Sequence, residues 1–169
     1  MSVESIRDVR QYLTFQLGEE VFGLDVSNVR EILEFTTVTK VPKTPEFMRG
    51  VINLRGSVVP VLDVRLKFGL TITEKTVNTC VVVVEVDFDG ERTVIGALVD
   101  SVQEVFELEP GQIEPAPKIG IRLDTDFIMG MGKKDDRFII ILDIDKVFTS
   151  DELACAHGMD VEMEKAANG

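Results

Sequence analysis

The residues with the most chemical potential sit near the C-terminus. His157 is the only histidine, and Cys155 stands two positions before it. A nucleophile–histidine pair requires an imidazole held by a rigid scaffold. A structural zinc site requires two more ligands than Cys155 and His157 supply. Both residues lie in a small, acidic, Met-containing segment, which reads as solvated tail. The run Gly130-Met131-Gly132-Lys133-Lys134 has glycines and lysines, as a phosphate loop does. It lacks the four-residue spacer before Gly-Lys and the hydroxyl residue that holds magnesium. It reads instead as a hairpin with a charged tip at Lys133–Arg137. Asp87-Phe88-Asp89-Gly90 has the opening of a calcium loop, but its glycine comes too early and no acid occupies the twelfth position, so it is a turn. Glu104, Glu107 and Glu109 read as a solvated face. No catalytic set, metal site or cofactor site emerges, and a binding role is expected.

The elements that would position such residues follow from composition and pattern. The chain has 169 residues, 44% of them apolar, with 30 acidic against 18 basic side chains and a net charge of −12. That is enough for one compact unit or two small barrels sharing an interface. An anionic chain is repelled by nucleic acid and by anionic membranes, and no basic run is larger than Lys133-Lys134. Single-strand binders also need stacking aromatics, whereas there is no Trp and Tyr12 is the only tyrosine. No segment approaches the roughly 18–20 apolar residues of a membrane span, and the N-terminus lacks the apolar region of a signal peptide. A cytoplasmic protein without nucleic-acid or direct membrane partners is expected. Cys80 lies in an apolar run and Cys155 in a polar one, so Cys80 reads as a small buried hydrophobe and not as half of a disulfide.

Alternation of apolar and polar residues predicts a hairpin from Tyr12–Leu17 and Phe22–Val26 around Gly18-Glu19-Glu20. Val26, Val29 and Ile32/Leu33 are spaced for one face of a short helix, with Asp25 or Ser27 as its N-cap. Val51–Leu54 and Val58–Leu62 read as strands around Arg55-Gly56-Ser57, with Pro60 marking an edge or bulge. Asp63 caps a short helix closed by Gly69. Thr79–Val86 reads as a strand buried on both faces, and Asp89-Gly90 turns it into Thr93–Val99. Pro110, Pro115 and Pro117 punctuate a loop before the strand Arg137–Leu142. Residues 1–9 read as flexible and 151–169 as a tail of marginal helix or disorder.

The chain repeats itself. Gly23–Val26 with Val29–Leu33 recurs as Gly96–Val99 with Val102–Phe106, 73 positions on. Val58–Val64 and Phe68 recur as Phe138–Ile144 and Phe148, 80 positions on, and Gly50 and Gly130 share that second register. Two similar β subdomains follow, roughly 10–75 and 76–150. Each is a hairpin, a helical turn and a second hairpin that ends in an Asp-capped helix, with a groove between the two.

Together these residues resemble the CheW family. Gly50-Val-Ile-Asn53-Leu54-Arg55-Gly56-Ser-Val-Val-Pro60-Val-Leu-Asp63-Val64-Arg65 is similar to that family's most recognisable run, GVxNLRGxVxPxxDLR. Tyr12–Leu17, Gly23–Val26 and Val29-Arg-Glu31-Ile32 resemble its opening hairpin and its VxEI element, and a Val38–Val41 strand follows. Ile95–Val102, Ile113–Pro117 and Arg137–Leu142 extend the likeness over about residues 10 to 150. The resemblance implies an all-β fold with short helices, in two intertwined five-stranded SH3-like barrels. It implies a non-enzymatic scaffold joining methyl-accepting chemotaxis receptors to the regulatory domain of the histidine kinase CheA. By position, receptor contact falls to Val29, Glu31, Ile32 and Arg55, and kinase contact to Val38, Val41, Gly50 and Val58. Core packing is the alternative reading of Val29 and Ile32, a hairpin-fixing ion pair that of Arg55, and a backbone requirement that of Gly50. An adaptor of the same fold in another signalling pathway would share the motif. A small-molecule-binding barrel would need convergent polar groups, for which Glu31 and Arg55 are the only candidates.

Overall fold

The computed structural model describes residues 9–35, 38–72, 74–88, 90–115, 127–134, 136–149 and 152–154. Strand β1 (Arg10–Leu17) turns through Gly18 into β2 (Glu20–Asp25), with Tyr12 opposite Asp25 and Leu17 opposite Glu20. The Asp25 carboxylate accepts the Ser27 N–H at 2.9 Å and caps a single 3-10 turn, Val26–Asn28. The chain then enters strand β3 (Val29–Glu34), not the helix its spacing suggested. A β-bulge between Val29 and Glu31 is the reason. The bulge returns Val29 and Ile32 to one side of the strand, so a separation of three mimics helical period.

No strand spans Val38–Val41; among the described residues Thr39 alone makes a bridge there, to Val51. Strands β4 (Met48–Leu54) and β5 (Ser57–Asp63) join through Arg55-Gly56, whose φ values of +50° and +86° make the two-residue turn suited to the twist of a hairpin. The Asn53 side-chain oxygen accepts the Gly56 N–H at 2.9 Å. Pro60 is not on an edge strand: β5 has neighbours on both sides, and Pro60 stands one residue before parallel pairing begins at Val61. Asp63 caps α1 (Val64–Lys67) by accepting the Arg65 N–H.

The second half follows as β6 (Cys80–Phe88), β7 (Glu91–Val99), β8 (Ser101–Leu108), the two-residue β9 (Ile113–Glu114), β10 (Ile128–Lys134), β11 (Arg137–Leu142) and α2 (Ile144–Val147). The repeat survives in three dimensions. A shift of 80 lays β4 on β10 and α1 on α2 residue for residue, and a shift of 73 lays β3 within β8. Even the irregularities recur: β1 and β8 slip register between Val102 and Val105, as β3 does, and the β4 and β10 bulges fall at Gly50 and Gly130.

The strands form two sheets, ordered β8-β1-β2-β11-β10-β9 and β3-β6-β7-β5-β4. Each sheet takes its central hairpin from one repeat and its flanking strands from the other. The hairpins have changed places. Parallel pairing stitches each guest hairpin to its host, with Ile141 opposite Gly23 and Val61 opposite Gly96. A Cβ at Gly96 would lie 2.7 Å from Val81 Cγ1 and one at Gly23 3.0 Å from Ile139 Cγ2, so both junctions need the space a glycine leaves. The first sheet has one strand more than the five expected, because β9 adds two residues to its edge.

Strands β1 and β6 occupy equivalent central places and are buried on both faces. Tyr12 packs with Ile139 and Ile141 inside one sheet's curl, and Val81 and Val83 with Val61 and Leu98 inside the other. Leu13, Phe15 and Leu17 meet Val82, Val84 and Val86 in a larger cluster between the sheets. Burial of this kind is worth about 25 cal/mol per Å² of apolar surface, and it holds the sheets in one body. A chain of stacked rings crosses the same cluster, Phe15–Phe22–Phe68–Phe127, with centroids 4.9–5.7 Å apart. Asp100 adds a polar tie, accepting the Gly18 N–H and an Arg65 guanidinium N–H, both at 2.7 Å. Packing also runs past residue 150: Leu153 is buried, and Lys67 pairs with Glu152 at 2.6 Å. Cys155, His157, Asp89 and Pro117 lie outside the described residues. Among the described residues no helix is long and apolar enough to cross a membrane, and no cluster of His, Cys, Asp or Glu could hold a metal.

Candidate functional site

Strand β3 is an edge: β6 pairs with it on one side and, among the described residues, no strand on the other. Its hydrophobic pattern is inverted. Ile32 is 44% exposed, while the carboxylate-bearing Glu31 is half-buried. The register explains how. Val29 and Ile32 stand beside Val84 and Val82, on the side of the central cluster, and Glu31 stands beside Val83 on the opposite face. Val29 is half-buried against that cluster, whereas Ile32 projects at its rim.

Glu31 is held by Arg55 from the β4–β5 turn through two N–H···O contacts of 2.9 and 3.1 Å. The Arg55 side chain is 76% exposed, so the pair adds no more than about 1 kcal/mol to stability. A non-glycine residue at positive φ costs about as much. The arrangement is therefore close to neutral for folding, and its effect is positional: it fixes a carboxylate and a guanidinium along an open strand edge. Beside it Glu85 of β6 bridges Arg30 and Arg92, at 3.3 and 3.5 Å. Glu31, Arg55, Arg30, Arg92 and Val58 line an open cleft of about 340 Å³. Within it Glu31 pairs with Arg55, and Ser57, Glu91 and Thr93 complete the polar lining. What it can do is recognise a surface by charge and shape.

The eight residues singled out from the sequence thus fall into two places. Glu31, Arg55 and Val58 share this cleft, with Val29 and Ile32 on the other face of β3. Val38 and Val41 line a second cleft of about 740 Å³ between the β3–β4 connection and the segment after α1. Gly50 is buried behind its wall, where a Cβ would fall 2.1 Å from Thr39 O.

The second cleft corrects the expectation that no basic patch exceeds Lys133-Lys134. Lys40, Lys43, Arg49 and Lys75 line it, against Glu46 as its one acid. The Arg49 guanidinium and the Lys75 ammonium both lie over the Phe35 ring, 5.8 and 5.7 Å from its centre. Sequence reading missed this group, and the Arg30–Glu85–Arg92 bridge, because their members come from separate segments. Only the fold brings them together.

Two displaced ionisations belong to the first hairpin. Burial alone would raise the Asp25 carboxyl, but the Ser27 N–H and hydroxyl and the Arg10 guanidinium at 2.9 Å outweigh it and leave it below its ordinary value. Burial raises the Tyr12 phenol, helped by the Asp25 charge, and its hydroxyl finds no hydrogen-bond partner among the described residues.

A family profile described as the CheW-like domain matches residues 11–152. A protein named chemotaxis protein CheW from Klebsiella aerogenes is 39% identical over 145 residues, covering 86% of this chain and 85% of that one. Its namesake from Helicobacter pylori is 30% identical over 148 residues, covering 88% and 87%. The crystal structure of scaffolding protein TtCheW from Thermoanaerobacter tengcongensis superposes with a TM-score of 0.74 at 36% identity, over 85% of this chain and 97% of that one.

Proposed function

The chain belongs to the CheW family of chemotaxis scaffold proteins, and we propose that it couples the cytoplasmic tips of chemoreceptors to the regulatory domain of the histidine kinase CheA, thereby controlling kinase activity. The observation that carries this reading is the open edge of β3. There an exposed isoleucine and a fixed Glu31–Arg55 pair serve folding little and recognition well. Buried cores do not place an isoleucine outward and a glutamate inward on one strand; a docking edge does. The adaptor transfers no group. It holds receptor and kinase in one geometry, and a receptor state that binds more tightly to one such geometry shifts the kinase population.

The test is Glu31→Lys. It sets an ammonium beside Arg55 and removes a surface pair, so the melting temperature should move by only a few degrees. Affinity for receptor cytoplasmic fragments, by titration calorimetry, should fall at least about tenfold. A folded variant with unchanged receptor affinity would refute the assignment of this edge. Failure of the unsubstituted chain to bind either receptor fragments or the kinase domain would refute the coupling role itself.

A further inference from the structure

The chain as a whole bears a charge of −12, yet the second cleft sets four cations against one carboxylate. Arg49 is engaged with Asp63 at 3.3 Å and lies over the Phe35 ring. Lys40 and Lys43 are exposed and form no ion pair among the described residues, and Lys75 reaches only the Phe35 ring. Between these charges the lining is apolar, from Val38, Val41 and Met48. The C-terminal part of the chain is brought toward this place by its own contacts. Thr149 and Glu152 cap one another: the Thr149 N–H donates to the Glu152 carboxylate at 2.7 Å, and the Glu152 N–H to the Thr149 hydroxyl at 3.1 Å. Leu153 is buried, and Lys67, the last residue of α1, holds Glu152 at 2.6 Å. Asp63, the N-cap of the same α1, is the partner of Arg49 in the cleft. One turn of helix, about 6 Å long, therefore separates the anchor of the C-terminal segment from a wall of the cleft.

Residues 155–169 follow that anchor and lie outside the described residues. Their sequence complements the cleft: Asp160, Glu162 and Glu164 alternate with Val161 and Met163. We propose that Asp160–Glu164 folds back into the cleft, carboxylates on Lys40, Lys43 and Lys75 and apolar side chains over Val38 and Val41, so that the chain carries a competitor for its own basic site. The reach is sufficient, since the eight residues from Glu152 to Asp160 can extend to about 27 Å. Other acid-bearing segments outside the described residues suit it less. Residues 1–8 lead into β1 in the opposite sheet, and in residues 116–126 Lys118 and Arg122 balance Asp124 and Asp126. A short tether supplies an effective concentration on the order of millimolar. Even the weak attraction of exposed ion pairs then keeps the cleft covered for much of the time. An acidic partner binds only the uncovered fraction, and its apparent affinity falls in proportion. This self-cover goes beyond the coupling role and does not depend on it.

The experiment is paramagnetic relaxation in the full chain, with Cys80→Ser and Cys155→Ser and a nitroxide carried on Ala166→Cys. At about 50 mM salt the amide signals of Thr39, Lys40, Lys43 and Lys75 should lose at least about half their intensity. At about 500 mM, where the screening length is about threefold shorter, they should recover. Lys40→Glu with Lys43→Glu should abolish the broadening, as should Glu162→Lys with Glu164→Lys. The two pairs combined should restore it, which a merely structural effect of either pair would not do. Hexaglutamate, titrated as a probe, should bind the Glu162→Lys, Glu164→Lys chain about threefold more tightly than the parent. Broadening that is absent at low salt, spread evenly over the surface, or not restored by the combined variant would overturn the proposal. Equal affinity for hexaglutamate would overturn the competitor role. Broadening of an isotope-labelled chain by a separate spin-labelled one would overturn it in favour of segments exchanged between copies.

Discussion

Replacing Gly50 with alanine distinguishes a backbone requirement from a contact. Gly50 has φ of +142°, a conformation that costs a residue with a side chain about 1–3 kcal/mol. The new methyl would lie 2.1 Å from the Thr39 carbonyl oxygen and 2.8 Å from Val38 Cγ1. The nearer contact cannot be relieved by turning a side chain, because its atom is backbone. The β3–β4 connection must move outward, and the two Thr39–Val51 hydrogen bonds, both 2.9 Å, must stretch or break at about 1 kcal/mol each. The loss comes to roughly 3–5 kcal/mol, against a total of about 5–15 kcal/mol for a domain. A protein of this size should then melt about 10 °C lower but stay folded at room temperature. Circular dichroism melts give the first number and calorimetry with the kinase domain the second, below the transition. A variant melting within about 2 °C of the parent would refute the backbone account, and lost binding in such a variant would make Gly50 a contact residue.

Two further outcomes follow from the first hairpin. Tyr12→Phe removes a buried hydroxyl with no partner among the described residues, so the protein should gain about 1 kcal/mol in urea unfolding, where most core changes lose stability. Asp25 is more acidic folded than its ordinary value of 3.8. The stability it supplies is fully present above that value and fades as pH falls below it. Asp25→Asn should accordingly flatten the acid limb of the stability–pH curve below about pH 4, and an unchanged limb would mean that its partners do not hold the carboxylate.

The architecture was legible in this sequence wherever it repeats. The Asp63 and Asp143 caps, the run Thr79–Val86 and the recurring Gly23 and Gly96 all announce elements that the structure contains. The helix misread over residues 26–33 has a physical origin. A bulged strand brings residues three apart to one face, and an edge that turns Ile32 out and Glu31 in reverses the pattern by which strands are recognised. Strand β10 was legible only as the first arm of a hairpin tipped by Lys133–Arg137, since Gly130 and Gly132 dilute its β character, yet Gly132 is needed where a Cβ would meet Leu108 Cδ1 at 2.8 Å. The exchange of hairpins was implied by the family resemblance and not by the residue pattern, because it depends on which strands pair across the repeats. The basic cleft was invisible for the same reason: Lys40 and Lys75 are neighbours only after β4 and α1 have formed between them.

The exchanged hairpins have a consequence for how the protein is made. The first hairpin ends at Asp25, but its parallel partner β11 is not complete until Leu142. At bacterial translation speeds this is a wait on the order of ten seconds, and pairing so distant in sequence is intrinsically slow. Throughout that interval the β2 edge of the first hairpin lacks its partner strand. The nascent chain is therefore a natural client for chaperones. Any message truncated before Arg137 yields a polypeptide without β11, whose β2 edge stays open for good, and such a product is a target for proteolysis and not half an adaptor.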